Sequence, residues 1–236
     1  MDKLPARDTV LKHLTHPLTI AILLAFNGGV VDTAGFLGLH GLFVAHVTGN
    51  FVTMGAAIVG GGHGFIGKLL ALPEFVIVVG LARLAGTALR RRNWPAMPIL
   101  FVTKIVLLMA FSAMAIWHGP FADGDSSIAL WTSAVGVAAM AMQTAVQRVH
   151  LADMPPSTMM TGSTVQATLD AVDLLTRAHP EQRAATRARF NRLCCTIAAF
   201  VIGCAISALL FSFVGFWCLL LAVFVAMCAT DLQSSR

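Results

Sequence analysis

Eight mainly apolar segments follow one another along the chain, and most charged residues lie in the short stretches between them. A helix needs roughly 20 apolar residues to cross the hydrocarbon core of a bilayer. The pattern predicts helices over 18–39, 42–59, 70–89, 97–117, 128–149, 158–175, 193–213 and 215–230. Polar residues interrupt the second and sixth segments and leave the other six largely continuous. This pattern is typical of an all-α integral membrane protein.

The second and sixth segments are interrupted by the same short motif, a Thr-Gly pair followed by a small polar residue. It reads Thr48-Gly49-Asn50 in the first half of the chain and Thr161-Gly162-Ser163 in the second. Irregular backbone at membrane depth is tolerated only where it is buried in protein or lines a cavity. We therefore predict that 42–59 and 158–175 are re-entrant or broken helices, and that a binding site lies between them.

The composition excludes a water-solvated surface. The 236 residues are 57% hydrophobic and 11% charged, with a mean hydropathy of +0.80, whereas about a quarter of the residues of a soluble domain are charged. The positive residues behind the net charge of +5 lie beside apolar segments without interleaved aromatic residues. This disfavours nucleic acid and leaves membrane lipid as the expected partner. The five cysteines lie in the last two segments without a Cys-x-x-Cys pair, and we expect neither a metal nor a cofactor.

Three clusters of positive residues determine the predicted orientation. They are Lys3 with Arg7 and Lys12, the run 90–92, and the arginines between 177 and 192; the loop after the fourth segment carries Asp123 and Asp125 instead. Positive residues concentrate on the cytoplasmic side. If all eight segments crossed the membrane, no orientation would place the three clusters together on that side. If the second and sixth do not cross, one orientation does. We therefore predict six spans in the bacterial cytoplasmic (inner) membrane, with both termini cytoplasmic.

The order of the segments repeats. Thr48 and Thr161 are 113 positions apart, and each half reads as span, broken segment, span, span. With three spans per half, the second half starts from the opposite side, which gives the inverted repeat of many secondary transporters. The predicted units are a cytoplasmic segment 1–17, a first repeat 18–118, an external loop 119–127, a second repeat 128–231 with a basic cytoplasmic linker 176–192, and a tail 232–236. Within the linker, we predict a short basic helix from Pro180, held at the membrane surface by anionic lipid.

Several of these motifs resemble one known family. Gly29-Val30-Val31-Asp32-Thr33-Ala34-Gly35-Phe36, Leu42-Phe43 and Thr48-Gly49-Asn50 resemble the YoaK family of uncharacterised bacterial integral membrane proteins, as do Met142-Gln143-Thr144-Ala145 and Met160-Thr161-Gly162 in the second half. Two positions depart from the family pattern: Ser163 replaces the second asparagine, and Thr144 replaces the amide after Gln143. The resemblance covers nearly the whole chain and implies a multi-pass membrane fold, but it implies no activity.

Asp32 is the strongest single candidate for function. An ionisable residue inside a spanning helix costs roughly 2.5–3.5 kcal/mol on insertion scales and is a functional candidate by default. Asn27 lies five residues before it, among glycines. One interpretation is a carboxylate that couples transport to a proton or ion, or that contacts a substrate. The alternative is a structural carboxylate that caps the amides of the broken segment.

Further candidates lie at the two breaks. His46 can exchange a proton with Asp32 near physiological pH if their helices touch, or it is an ordinary hydrogen-bonded core residue; Asn50 lies one helical turn from it. Thr48-Gly49 and Thr161-Gly162 would free backbone donors if helices begin there, and helix amino termini attract anions. The alternative is that these glycines only let two helices pack closely.

Amide and hydroxyl side chains complete the candidate site. Gln143 and Gln147 lie one turn apart on the fifth segment, and Ser163 and Gln166 lie on the polar side of the sixth. They bind a polar ligand, or they bind each other and neighbouring backbone. The predicted substrate-binding set is Asn27, Asp32, His46, Thr48, Gly49, Asn50, Gln143, Gln147, Thr161, Gly162, Ser163 and Gln166. We predict no catalytic set and no metal site.

These features favour a secondary transporter of a small molecule or ion, with the substrate between the two broken segments and Asp32 as the coupling group. A non-transporting scaffold or partner subunit is the alternative, although short loops leave little soluble surface for docking. A membrane-embedded enzyme that uses Asp32 and His46 is less favoured, because no nucleophile or metal ligands converge in the sequence. A ligand that crosses unchanged would indicate a transporter, and an altered product an enzyme. A homodimer is compatible with a chain of this size.

Overall fold

The computed structural model describes residues 17–60, 64–177 and 180–234, and within them the chain forms helices and connecting turns without a β-strand. The eight α-helices of this described part are α1 (Pro17–Gly38), α2 (Gly49–Gly60), α3 (Phe65–Arg91), α4 (Ala96–His118), α5 (Ser127–His150), α6 (Met160–Thr176), α7 (Arg183–Val214) and α8 (Leu219–Ser234). The 3₁₀ turns Pro180–Gln182 and Gly215–Cys218 precede α7 and α8. The predicted all-α membrane class is confirmed.

Five stretches of the described chain are long and apolar enough to cross a membrane, judged by length and composition. Four are the single helices α1, α3, α4 and α5. The fifth, Pro180–Leu232, contains both α7 and α8. The two helices separate at Gly215, whose φ of +57° is a conformation that glycine adopts without strain. The 3₁₀ turn Gly215–Cys218 continues directly into α8 and lengthens it, so this stretch corresponds to the last two of the six predicted spans.

The two interrupted segments each form an irregular stretch followed by a short helix. Residues 39–48 leave helical geometry after α1, and α2 then has only 12 residues. Residues 151–159 do the same after α5, and α6 has 17 residues. At about 1.5 Å per residue these helices are about 18 and about 26 Å long, shorter than a hydrocarbon core of about 30 Å. Segments 42–59 and 158–175 are therefore broken helices in the structure.

The basic linker differs from its predicted form. We expected a separate short helix from Pro180, whereas the structure has one 3₁₀ turn, Pro180–Gln182, and then the continuous 32-residue helix α7. The arginines from Arg183 to Arg192 form the first turns of that helix. Arginine and alanine are good helix formers, and no glycine or proline separates them from the apolar run. The predicted segment 1–17, with Lys3, Arg7 and Lys12, lies outside the described residues apart from Pro17.

The loops that carry acidic residues meet at one end of the bundle, which we call the acidic end. Asp125 accepts hydrogen bonds of 2.8–3.1 Å from the amides of residues 64–66, where α3 begins. His40, just after α1, lies 2.9 Å through its Nε2 from the carbonyl oxygen of Phe121. The opposite, basic end holds Arg90 of α3 beside His150 of α5. The connections between the successive long helices α1, α3, α4 and α5 thus alternate between the two ends, as crossing helices require.

Glycines bring α1 and α7 into close contact. A Cβ added to Gly29 would collide with the carbonyl oxygen of Phe200, and one added to Gly203 would collide with that of Phe26. The hydroxyl of Ser207 donates to the carbonyl oxygen of Val30 over 2.8 Å. The pairs Phe26 with Gly203, Val30 with Ser207 and Gly38 with Phe216 rise together in residue number, so α1 and α7 are parallel. The arginines that begin α7 consequently lie at the basic end, together with Arg90.

The other helices pack around this pair in matching ways. Helix α1 also packs on α8, while α5 packs on α3 and α4. The short helices rest on the next long helix of the chain, α2 on α3 and α6 on α7. Helices α4 and α8 contact each other and complete a core with α1 and α5. This arrangement encloses the irregular stretches 39–48 and 151–159 from several sides.

Candidate binding site between the broken helices

A buried carboxylate holds the irregular stretch before α2. Asp32, in the middle of α1, is 4% exposed. Its Oδ1 accepts hydrogen bonds from the backbone amides of Ala45 at 2.8 Å and His46 at 3.3 Å. These amides lie beyond the end of α1 and before the start of α2, so helical hydrogen bonds do not satisfy them. Asp32 therefore fixes the backbone at the break, in the geometry of the capping alternative.

Asn50 closes the same stretch from its other side. Its Oδ1 accepts from the amide of Phe43 and its Nδ2 donates to the carbonyl oxygen of Phe43, both at 2.8 Å. The side chain is 1% exposed. A primary amide has one acceptor and one donor side, and this reciprocal pair uses both. The asparagine in the Thr-Gly-Asn motif thus serves the local backbone.

A second clip of the same chemistry holds the stretch before α6. Gln147 of α5 donates through Nε2 to the carbonyl oxygen of Pro155 at 2.7 Å and accepts through Oε1 from the amide of Ser157 at 2.9 Å. Gln143, one turn earlier, donates through Nε2 to the carbonyl oxygen of Leu24 at 3.0 Å and to Ser157 Oγ at 3.2 Å. Both glutamines are buried. They tie the second break to α5 and α1.

A cavity of about 370 Å³ lies between the two broken segments. Its lining comes from both breaks and from two neighbouring long helices: Ala45, His46, Val47, Thr48, Leu72, Phe75, Thr144, Thr158, Met159, Thr161 and Gly162. The volume is in the range of small-molecule sites, which also combine an apolar lining with a few polar groups. The two Thr-Gly motifs, separate in the sequence, therefore border one space.

The start of both short helices faces this cavity. Helix α2 begins directly after Thr48, and α6 begins between Met159 and Thr161. No side chain caps the start of α6 among the described residues, so its first amides remain available as hydrogen-bond donors. Thr158 is 4% exposed and lines the cavity, while its methyl group is turned towards Gly28. The first amides of α2 donate instead to the carbonyl oxygens of residues 46–48, so the cavity offers hydroxyl groups and the first amides of α6 on otherwise apolar walls.

A shallow groove continues from the cavity along α6. It has a volume of about 490 Å³ and is lined by Met160, Thr161, Thr164, Val165, Thr168 and Leu169. Thr161 borders both the groove and the cavity. The hydroxyls of Thr164 and Thr168 donate to carbonyl oxygens one turn earlier at 2.9 Å. The groove therefore leads from the cavity towards the end of α6 that joins the arginine-rich start of α7.

The predicted site residues divide into two groups in the structure. Those that border the cavity are His46, Thr48, Thr161 and Gly162. The others lie outside its lining: Asn27, Asp32, Gly49, Asn50, Gln143, Gln147, Ser163 and Gln166. Most of the second group bind backbone atoms. Asn27 Nδ2 donates to the carbonyl oxygen of Ala222 at 2.6 Å, and Ser163 Oγ donates to that of Met159 at 3.4 Å.

Gln166 donates a hydrogen bond to an ion pair between α6 and α7. Its Nε2 donates to Asp170 Oδ1 at 2.8 Å, and Arg189 binds both carboxylate oxygens of Asp170 at 2.6 and 2.8 Å. Asp170 is fully buried and Arg189 half exposed. The hydrogen bonds from Arg189 hold the pKa of Asp170 below its usual value. This cluster anchors α6 to α7 at the basic end, away from the cavity.

Some residues of interest were not among the sequence predictions. Leu72, Phe75, Thr144 and Thr158 line the cavity, but the apolar pair has no distinguishing sequence signal. Lys104 did have a signal, because it is a charged residue within the apolar segment 97–117. It is 1% exposed, and its Nζ makes no hydrogen bond with the described residues. Among those residues, no group of three His, Cys, Asp or Glu side chains is arranged to hold a metal ion.

Comparison with known proteins identifies the family. The profile of a family described as a protein of unknown function, DUF1275, matches residues 20–231. The chain belongs to the DUF1275 family. It is similar to the UPF0700 transmembrane protein YoaK of Bacillus subtilis (strain 168), with 30% identity over 153 residues that cover 61% of this chain and 63% of YoaK. The chain thus matches less than two thirds of the length of that relative.

The predicted resemblance to YoaK is confirmed by this match. The description of YoaK as a transmembrane protein agrees with the apolar helices of the DUF1275 chain, which is a multi-pass membrane protein. No solved structure matches the chain significantly. A function for this DUF1275 chain must therefore be argued from its own site.

Proposed function

We propose that the protein is a secondary transporter of a small polar molecule or ion, and not an enzyme, and that its substrate binds in the cavity between the broken helices. The observation that carries this proposal is the cavity itself, which both Thr-Gly motifs and the starts of α2 and α6 border. Discontinuous helices in a membrane bundle commonly mark substrate sites of transporters. Helix amides and threonine hydroxyls favour a substrate with hydrogen-bond acceptors or a negative charge.

The packing supports an inverted repeat, in which α1–α4 correspond to α5–α8. Under this correspondence, the contact of α1 with α7 matches that of α5 with α3. The contact of α1 with α8 matches that of α5 with α4, and all four contacts are present. The contact of α2 with α3 likewise corresponds to that of α6 with α7. Such a repeat allows two similar conformations that open the central cavity to opposite sides.

The proposed orientation places the basic end in the cytoplasm of a bacterial cell. Arg90 and the arginines that begin α7 share that end, and Asp125 marks the other. Positive residues favour the cytoplasmic side of the membrane. The groove along α6 would then give the cavity access from the cytoplasm, since it runs towards the same end.

Asp32 has a coupling role in this proposal because it holds backbone that lines the cavity. Its Oδ1 accepts from the amides of Ala45 and His46, and both residues border the cavity. Protonation would remove the charge that strengthens these hydrogen bonds. Binding of a proton and the shape of the cavity are thereby linked. Asp32→Asn should abolish any pH dependence of transport while the protein stays folded.

A thermal-stability screen tests for the substrate site. The purified protein in detergent is exposed to a library of metabolites and ions, with anions first. A ligand that binds only the folded protein at 100 times its dissociation constant adds about 2.7 kcal/mol. Any hit is then followed in proteoliposomes. Accumulation of the unchanged compound supports transport, chemical conversion would favour an enzyme, and no hit across the library would favour a scaffold.

The substitution Gly162→Phe tests whether the substrate binds in the cavity. A Cβ at Gly162 meets nothing within 4 Å, and the residue borders the cavity, so the new ring can enter the cavity without displacing neighbours. Gly80→Phe is the control, because Gly80 of α3 is equally open but lies outside the lining. We expect Gly162→Phe to abolish ligand stabilisation and transport, and Gly80→Phe to leave both unchanged. Equal binding by the two variants would refute the cavity as the site.

A further inference from the structure

Lys104 is a buried amine in the core of the bundle, away from the cavity. It lies near the middle of α4, is 1% exposed, and has no hydrogen-bond partner for Nζ among the described residues. Polar groups in protein interiors are normally paired, because an unpaired one loses its hydration without compensation. An ionisable residue in a membrane-spanning helix is a functional candidate by default. The surroundings of Lys104 indicate which function.

The packing of α4 on α5 places Lys104 opposite Gln143. The ring of Phe111 lies against Gly136, and Leu100 lines the same small space as Val149. Residue numbers therefore fall along α4 as they rise along α5. Lys104 lies seven residues before Phe111, and Gln143 seven after Gly136. Seven residues make nearly two helical turns, so each side chain returns to the face that touches the other helix.

Two unpaired carbonyl oxygens occur at this level of the core. Gln143 Nε2 donates to the carbonyl oxygen of Leu24, which fixes the orientation of the amide and leaves its Oε1 buried without a partner. Asn27 lies one turn after Leu24. Its Nδ2 donates to the carbonyl oxygen of Ala222, and its Oδ1 is likewise buried without a partner. Among the residues that the structure describes, the core at this level thus contains one free amine and two free acceptors.

These three groups are complementary in one protonation state. A protonated lysine has three N–H donors and no acceptor, and carbonyl oxygens are the partners that a buried ammonium needs. We propose that Lys104, Gln143 and Asn27 form a proton-binding site in the core of α1, α4, α5 and α8. The proton comes from hydronium in the surrounding water: one O–H bond breaks, one N–H bond forms at the lone pair of Nζ, and water is left behind. The amide oxygens then hold the protonated form.

The other titratable groups on α1, on α4 and on the elements packed against α4 are distinct from this site. They are Asp32 of α1, Lys68, Glu74, Arg83, Arg90 and Arg91 of α3, His118 of α4, Arg148 and His150 of α5, Cys218 of the 3₁₀ turn, and Cys228 and Asp231 of α8. None of them forms a hydrogen bond with Nζ of Lys104. Proton binding at Lys104 is independent of what the cavity binds.

Lysine NMR tests the site directly, with the proton as the probe. The chain has four lysines, Lys3, Lys12, Lys68 and Lys104, so ¹³C- and ¹⁵N-lysine labelling gives few signals. Lys104→Met, which replaces the amine by an apolar side chain of similar length, assigns the signal. We expect the Lys104 signal to convert reversibly between ammonium and amine forms within the pH range in which the protein stays folded. A signal that keeps one form throughout that range would overturn the proposal.

A second comparison tests the role of the amides. Gln143→Met removes one free acceptor for the ammonium form. We expect Lys104 to need a proton concentration about tenfold higher or more to become protonated, which is the effect of one hydrogen bond to a charged group. Gln147→Met is the matched control, because Gln147 binds the same loop but has no free oxygen. Equal titration in both variants would remove the amides from the site. Asn27→Leu replaces Gln143→Met if that variant does not fold.

Discussion

At the scale of single residues, Asp32 acts on the cavity through the backbone that it holds. Asp32→Ala would leave the amides of Ala45 and His46 without their acceptor. Each such loss costs about 1–3 kcal/mol, so we expect the free energy of unfolding to fall by roughly 2 kcal/mol or more. Asp32→Asn keeps an oxygen acceptor and should change stability by less than about 1 kcal/mol. Thermal or denaturant unfolding in detergent measures both effects.

The control for this series is Asp153→Ala, which removes an exposed carboxylate from the second irregular stretch. It should leave stability within about 0.5 kcal/mol of the wild type, as surface substitutions usually do. If Asp32→Ala matched this control, the two hydrogen bonds would not support the break. Loss of ligand binding in Asp32→Ala, with the fold retained at low temperature, would link the carboxylate to the cavity.

Sequence analysis identified several of these residues but not their partners. Asp32 was recognisable as a carboxylate in an apolar helix, and the capping alternative described its geometry. Its specific partners, the amides of Ala45 and His46, depend on how residues 39–48 fold back on α1. Lys104, like Asp32, is an ionisable residue inside an apolar segment, and the sequence alone is enough to single it out. The unpaired oxygen of Gln143, in contrast, becomes visible only when α1, α4 and α5 are assembled.

At the scale of elements, α6 is fixed to α7 by the pair of Asp170 and Arg189. The pKa of Asp170 lies below its usual value because of hydrogen bonds from Arg189, and an unfolded aspartate has a pKa of about 3.9. A carboxyl group with a lowered pKa stabilises the fold in its ionised form. Its contribution is complete above the unfolded value and is lost as the pH falls through the lower folded value.

We therefore expect Asp170→Asn to lower the free energy of unfolding, and with it the melting temperature, at neutral pH. The difference in free energy should be on the order of 1 kcal/mol or less, because Arg189 is half exposed and exposed partners are screened by water. It should shrink as the pH is lowered through about 4 and below. Melting curves of the wild type and the variant from neutral to acidic pH measure this. A difference that stays constant into the acid range would contradict the assignment to this carboxyl group.

The contact between α1 and α7 makes a separate prediction. A Cβ at Gly203 would collide with the backbone of Phe26, which cannot move without shifting α1. We expect Gly203→Ala to lower stability by about 1–3 kcal/mol, as overpacking does. Gly80→Ala, at an open position of α3, should instead stabilise by up to about 1 kcal/mol through helix propensity. Unfolding of both variants is measured in parallel. A similar gain in the free energy of unfolding for Gly203→Ala and Gly80→Ala would show that the close contact is absent.

Element boundaries followed the sequence pattern where apolar runs end in turn-forming residues. The breaks at the two Thr-Gly motifs were predictable, because polar and glycine residues cannot continue a lipid-facing helix. The linker was harder, since charge indicated a surface helix while helix propensity allowed it to join α7. Propensity prevailed, and Arg183–Val214 is one helix. Its basic first turns still supply Arg189 for the pair with Asp170.

At the scale of the whole molecule, the proposed orientation makes the two ends distinguishable. In a variant with its native cysteines replaced, Asp123→Cys at the acidic end should react with a membrane-impermeant maleimide in intact cells. Arg91→Cys at the basic end should react only after the membrane is permeabilised. The expectation rests on the positive-inside rule, and labelling of the two single-cysteine variants measures it. The reverse pattern would place the arginines outside and reject the orientation.

The contacts of α1 have a consequence for how the protein is made. Asp32 finds its partners within 14 residues, soon after α1 is synthesised. The hydrogen bonds of Asn27 with Ala222 and of Val30 with Ser207 form only later, because these partners follow 195 and 177 residues further along the chain. Helix α1 is therefore synthesised long before the last partners of its hydrogen bonds. Chains that end before α7 would present the glycine face of α1 without its partner, and cellular quality control could recognise them by it.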